Sequence, residues 1–180
     1  MRRADLDSLL PAIYQDAVSH GNPLDAVLEL AARLPEPDEG VLASLDRLFD
    51  PRRTDDSMVA FLASWVDLDR FLSQGGEQRG GHLSTGTGPL RELCVAAAEL
   101  SRKRGTRGGL IRFLEVATGH QGFRVDENRD RDGNARAFHI CVTGPPQAVA
   151  HAELVHAIVA AEKPAYVTYD PTETRFEQGS

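Results

Sequence analysis

Leu100-Ser101-Arg102-Lys103-Arg104-Gly105-Thr106-Arg107-Gly108-Gly109-Leu110 is the stretch on which the fold turns. It reads as one helix ending, a corner made by a single glycine, and a second helix starting at once. Upstream, Cys94 to Leu100 is alanine-rich with an apolar stripe, and basic residues fill the last turn, where they favour the exposed carbonyl end. Gly105 can supply a positive φ at a helix end, and Thr106 offers a hydroxyl to the orphan amides of the next helix. Gly108 and Gly109 both cost helix propensity, so a close backbone approach is expected there.

Working outward, the preceding two-thirds of the chain is helical in pattern. Asn22-Pro23 opens a helix with Leu24, Val27, Leu28, Ala31 and Leu34 on one face. Pro35-Glu36-Pro37 breaks it. Asp38 is expected to cap the next helix, which carries Val41, Leu42, Leu45, Leu48 and Phe49 and ends at Asp50-Pro51. Thr54 or Asp55 then caps a helix with Met58, Phe61, Leu62 and Trp65, read as core or interface. A glycine-rich linker spans 74–88, and Pro89 stands at the start of the helix that runs to the corner. The helix beyond the corner carries Leu110, Phe113, Leu114 and Ala117 and stops at Gly119.

Past Gly119 the period changes. Gln121 to Glu127 and Ala137 to Thr143 alternate as strands, with Phe123, Val125, Phe138, Ile140 and Val142 facing inward, and Asp132-Gly133-Asn134 is a hairpin signal. Pro145-Pro146 leads into a helix with Leu154, Val155, Ile158 and Val159. Lys163-Pro164 ends it, Tyr166 to Tyr169 forms a third strand, and a polar tail follows that is expected to fray. The fold class is α+β: an N-terminal helical bundle with a helix–Gly–helix corner, then a small C-terminal ββαβ unit. Residues 1–119 are the helical body, 120–170 a small α/β docking unit and 171–180 the tail.

Composition narrows function. With 180 residues the chain can bury roughly 70% of its unfolded surface without staples. A net charge of −7 speaks against a dedicated nucleic-acid binder. Cys94 and Cys141 read as reduced core residues. There is no signal-peptide pattern after Met1 and no apolar run near the ~20 residues of a membrane span, so a cytoplasmic protein is expected.

Nothing is assembled for catalysis or for a cofactor or metal. Asn128, Asp130, Asp132 and Gly133 resemble the start of a calcium loop, but His139 stands where the bidentate glutamate belongs, so a solvated hairpin tip is the reading. The linker lacks a preceding strand and a Gly-Lys-Ser/Thr signature. The six histidines, His20, His82, His120, His139, His151 and His156, show no paired metal spacing and read as surface or half-buried structural residues. Arg102, Lys103, Arg104, Arg107 and Arg112 form a basic cluster better matched to an acidic protein partner than to phosphate, given the overall charge. Two alternatives remain: a small hydrolase using His139 or His151 with Asp130 or Asp132, and a nucleic-acid- or protein-binding regulatory module using the basic corner.

Five motifs in order carry a resemblance. Leu10-Pro11-Ala12-Ile13-Tyr14-Gln15, Leu48-Phe49-Asp50-Pro51-Arg52, Phe61-Leu62-Ala63-Ser64-Trp65-Val66, Ala97-Ala98-Glu99-Leu100 running into Arg104-Gly105-Thr106 and Gly109-Leu110, and the closing Lys163-Pro164-Ala165-Tyr166 resemble the phage tail protein I family. Asp67 stands where that family commonly has glycine after Trp-Val, and Phe61 where tryptophan is usual. The resemblance implies a non-enzymatic baseplate wedge subunit of a contractile phage tail, tailocin or contractile injection system. Such a subunit works without cofactor, nucleic acid or membrane insertion. It is present in several copies about a sixfold axis, packed against a larger wedge protein, and links spike and hub to sheath. It also implies structural or interface roles for Pro11, Tyr14, Asp50, Pro51, Phe61, Trp65, Arg104, Gly105, Thr106, Gly109, Lys163 and Pro164.

Overall fold

A computed structural model describes residues 3–16, 22–72 and 82–177. His20 and the 74–81 part of the glycine-rich linker lie outside them. The chain divides into two compact units, Met1–Leu48 and Phe49–Ser180.

The first unit is a set of short helices: α1 (Arg3–Leu9), α2 (Ala12–Gln15), α3 (Pro23–Arg33), α4 (Glu36–Ala43) and α5 (Leu45–Leu48). Asn22 caps α3 as its type allows, its side chain accepting from the Leu24 amide. Arg3 ties α1 to α3 through Asp25. The single helix expected after Asp38 is instead two. It starts at Glu36, with Asp38 inside its first turn, and breaks at Ser44, whose hydroxyl turns back to the carbonyls of Gly40 and Val41.

The second unit is built on three helices, α6 (Asp56–Trp65), α7 (Thr87–Arg102) and α8 (Arg107–Thr118), followed by the sheet. Asp55 occupies the cap position of α6 without a side-chain bond, and Thr54 is buried beside it. The described end of the glycine-rich stretch is anchored: Leu83 is buried and the Thr85 hydroxyl donates to the Ala117 carbonyl at the end of α8. Leu90, Leu93 and Leu100 of α7 meet Leu110, Phe113, Leu114 and Ala117 of α8, the stripe expected from the sequence.

Strands β1 (Arg124–Arg129) and β2 (Ala135–Gly144) form an antiparallel hairpin, and a 3-10 turn at Pro146–His151 leads into α9 (Ala152–Glu162). Strands β3 (Thr168–Tyr169) and β4 (Arg175–Phe176) pair in parallel with successive parts of β2. Strand β2 is thus central, with Ile140 and Val142 in the same core as Leu154, Val155, Ile158 and Val159 of α9. Three expectations need correction. The tail does not fray at 171: it makes a 3-10 turn, Pro171–Glu173, then β4, and Glu177 donates its amide to the Gly144 carbonyl. His139 is not a surface histidine but 1% exposed, because the returning tail covers its side of β2. Phe138 does not face the core. A bulge between Glu127 and Arg129 sets Asn128 and Phe138 at positive φ, leaves Phe138 62% exposed, and is held by the Asn128 side chain accepting from the Phe138 amide.

Candidate assembly surface

The corner is held from three sides. Helix α7 runs out at Lys103, Gly105 turns the chain at φ +74°, and the Thr106 hydroxyl accepts from the Gly109 amide at 3.1 Å. Gly109 is where the two helices nearly touch: a Cβ there would overlap the Lys103 carbonyl oxygen and stand 2.9 Å from its carbon. Gly108, by contrast, faces open space. The close approach inferred for both glycines belongs to one.

The structure brings the closing Lys163-Pro164 onto this corner. Pro164 lies 3.7 Å from where a Gly105 Cβ would be, and Lys163 donates to the Val167 carbonyl at 2.7 Å. Beneath them is a carboxylate that the sequence reading missed. Glu162, buried at the end of α9, pairs with Arg70 and lies 3.5 Å from Arg104, while Asp67 reaches Arg70 at 3.2 Å and Arg104 at 3.8 Å. Asp67 itself sits at φ +60°, a conformation in which glycine is the easiest occupant and aspartate is tolerated. Glu162 was findable: it falls three and four residues after Val159 and Ile158, on the buried stripe of an apolar helix.

Gly105→Val should cost about 1–3 kcal/mol, since a β-branched residue would be forced to positive φ against Pro164. Urea unfolding of the variant checks it, and an unchanged midpoint would refute the reading of the corner.

Asp50 and Pro51 form a turn held to α7 by another arginine. The Asp50 carboxylate accepts from the Arg52 amide at 2.9 Å. Arg91 of α7 reaches the Pro51 carbonyl, the Thr54 carbonyl at 2.8 Å and the Asp56 carboxylate at 2.6 Å. That turn presents an aromatic cluster. Trp65 stacks with Phe49 at 5.7 Å between centroids and meets Phe61 edge-on at 5.0 Å. The three are 61%, 44% and 47% exposed, so Trp65 is not core. Such a cluster on a braced scaffold has the composition of an interface anchor. Trp65→Ala should therefore lower the stability of the isolated chain by less than about 1 kcal/mol. A loss of several kcal/mol in thermal unfolding would put Trp65 back in the core. Pro11 and Tyr14 are exposed in the first unit.

The residues of the alternative chemistries are spent elsewhere. Both ring nitrogens of His139 are engaged, Nδ1 with the Thr168 hydroxyl at 2.8 Å and Nε2 with Glu173 at 2.9 Å. Asp130 folds the hairpin tip, accepting from the Asp132 and Asn134 amides and the Asn134 side chain, and these bonds hold its carboxyl below the usual carboxylate range. His151 stacks on His120. Burial, with Glu173 nearby, pushes the Cys141 thiol up, away from reactive thiolate character. Within the basic cluster Lys103 pairs with Glu99 at 2.7 Å and Arg104 with Glu162. No group of three or more metal-ligating side chains occurs among the described residues, and no helix there is long and apolar enough to cross a membrane.

An α+β chain whose motifs brace a scaffold and expose aromatics fits the class of assembly subunits. Residues 22–166 match the family model described as Phage tail protein (Tail_P2_I), and the chain belongs to that family, a structural component of phage tails. No curated protein matches it.

Proposed function

We propose that the protein is a non-enzymatic wedge subunit of the baseplate of a contractile tail, whether of a phage, a tailocin or a contractile injection system. In this reading it stands in several copies about a sixfold axis, packs against a larger wedge protein, and links spike and hub to sheath. The supporting observation is the pairing of a braced corner with the exposed Phe49, Phe61 and Trp65 cluster. Rigid aromatic anchors on a fixed support are what a subunit–subunit contact needs, since little ordering entropy is left to be lost on docking. The basic corner supports a nucleic-acid role poorly, because Lys103 and Arg104 already have carboxylate partners.

Purified particles from cells carrying a tagged chain test this. The chain should co-purify at fixed stoichiometry and occupy density between hub and sheath in a cryo-electron microscopy map, and Trp65→Ala should reduce its incorporation. Absence from intact particles sinks the proposal.

A further inference from the structure

The chain beyond β3 returns across β2 and is fastened there by side chains that the assembly reading leaves unused. Glu173 meets His139 of β2, the Cys141 thiol donates to the Glu173 carbonyl at 3.3 Å, and Thr174 bonds the Tyr169 hydroxyl at 2.7 Å. Backbone pairing is slight: β4 has two residues, set against Thr143 and Gly144. A strand this short holds weakly by itself, so the side chains decide whether the segment stays down. The hydrogen bonds around His139 fix the charge of its ring. Thr168 spends its hydroxyl hydrogen on the Phe138 carbonyl at 3.0 Å, so it accepts from Nδ1, which therefore carries a hydrogen. Nε2 faces Glu173 Oε2 at 2.9 Å, while Arg136 donates to Glu173 Oε1 at 3.0 Å, which suits a carboxylate. A carboxylate oxygen only accepts, so Nε2 carries a hydrogen too. The fully buried ring is an imidazolium whose counter-ion arrives on the returning segment.

We infer that residues 170–177 form a proton-keyed strap: the imidazolium of His139 holds Glu173 and keeps the edge of β2 opposite β1 covered, and loss of that proton lets the strap go. The charged and titratable neighbours agree with this sign. Two bonds from Thr172, then the charges of Arg136 and His139, hold the Asp170 carboxyl below the usual carboxylate range. Arg136, the cation nearest the ring's partner, is itself paired with Glu173. Burial pushes the Cys141 thiol and the Tyr169 hydroxyl up, so both stay uncharged. Burial also holds His156, 2.6 Å from the Tyr169 hydroxyl, below the usual histidine range. That ring is favoured neutral and works with the opposite sign, its contribution being lost on acidification. The contribution of His139 is present while its ring is charged and is lost as pH rises. Release uncovers His139 and bares the β2 edge at Thr143 and Gly144.

The test follows the full, isotope-labelled chain by NMR as pH is raised. In the closed fold both ring nitrogens of His139 should carry hydrogens. Nε2 should lose its hydrogen in the same step in which the Glu177 amide, bonded to the Gly144 carbonyl, loses protection from exchange relative to its intrinsic rate. The amides of β1 should keep theirs. Glu173→Gln preserves the size of the side chain and removes its charge. It should leave the ring with one hydrogen, lower Glu177 protection at least about tenfold where the wild-type strap is closed, and flatten the pH response. His156→Gln should leave the response of Nε2 and Glu177 in place. A His139 ring with a single hydrogen in the closed fold, Glu177 protection that does not follow the ring, or wild-type protection in Glu173→Gln would overturn the inference. Should Glu173→Gln lose β1 protection as well, and so fail to fold, the wild-type titration decides alone.

Discussion

Gly109→Ala should destabilise the protein by about 3 kcal/mol, although it exchanges glycine for the best helix former. The added methyl would overlap the Lys103 carbonyl, a backbone atom that cannot rotate away, so the crossing of α7 over α8 must open. Opening it also pulls the Gly109 amide from Thr106 and loosens the buried leucines just beyond the corner. The neighbouring residue is the control. Gly108→Ala meets open space and should stabilise by about 0.5–1 kcal/mol through helix propensity and a less flexible unfolded chain. Urea unfolding of both variants gives the answer, and equal effects at the two positions would mean that the helices do not meet at Gly109.

Arg70→Ala should cost about 2–4 kcal/mol. It removes the closest partner of a buried carboxylate and leaves Glu162 with Arg104 at 3.5 Å. A buried charge without adequate pairing is expensive, whereas a buried position without the charge is much less so. Accordingly Arg70→Ala combined with Glu162→Leu should recover part of the loss. Part will remain, because Arg70 also lies over the Phe71 ring, 4.8 Å from its centroid. A single variant within about 0.5 kcal/mol of wild type would show that water reaches Glu162.

The helices of the second unit were legible because their stripes are unambiguous. Leu110, Phe113, Leu114 and Ala117 recur at one helical spacing, and all four are buried. The corner was legible because glycine and threonine each have a narrow local use, and Thr106 performs it. What escaped the sequence was set by distant partners. Nothing near His139 announces that a segment some thirty residues later will cover it, and Phe176 is one aromatic in an otherwise polar tail. Phe138 followed a strand alternation that the Asn128 bulge interrupts. Trp65 sat on a helical stripe, but it is largely exposed, and periodicity cannot tell a core face from an exposed apolar one. Of the residues singled out by resemblance, Arg104, Gly105, Thr106 and Gly109 lie with Lys163 and Pro164 at one corner, a meeting that spacing alone could not give.

Arg70 and Glu162 are 92 positions apart in sequence. During synthesis Arg70 and the corner with Arg104 leave the ribosome well before the carboxylate that pairs with both arginines. Until α9 emerges, Arg70 and Arg104 have the exposed Asp67 within reach but not the buried Glu162. The nascent chain therefore finishes this region only after α9 has been translated. A copy cut short of α9 would leave this corner without its buried carboxylate.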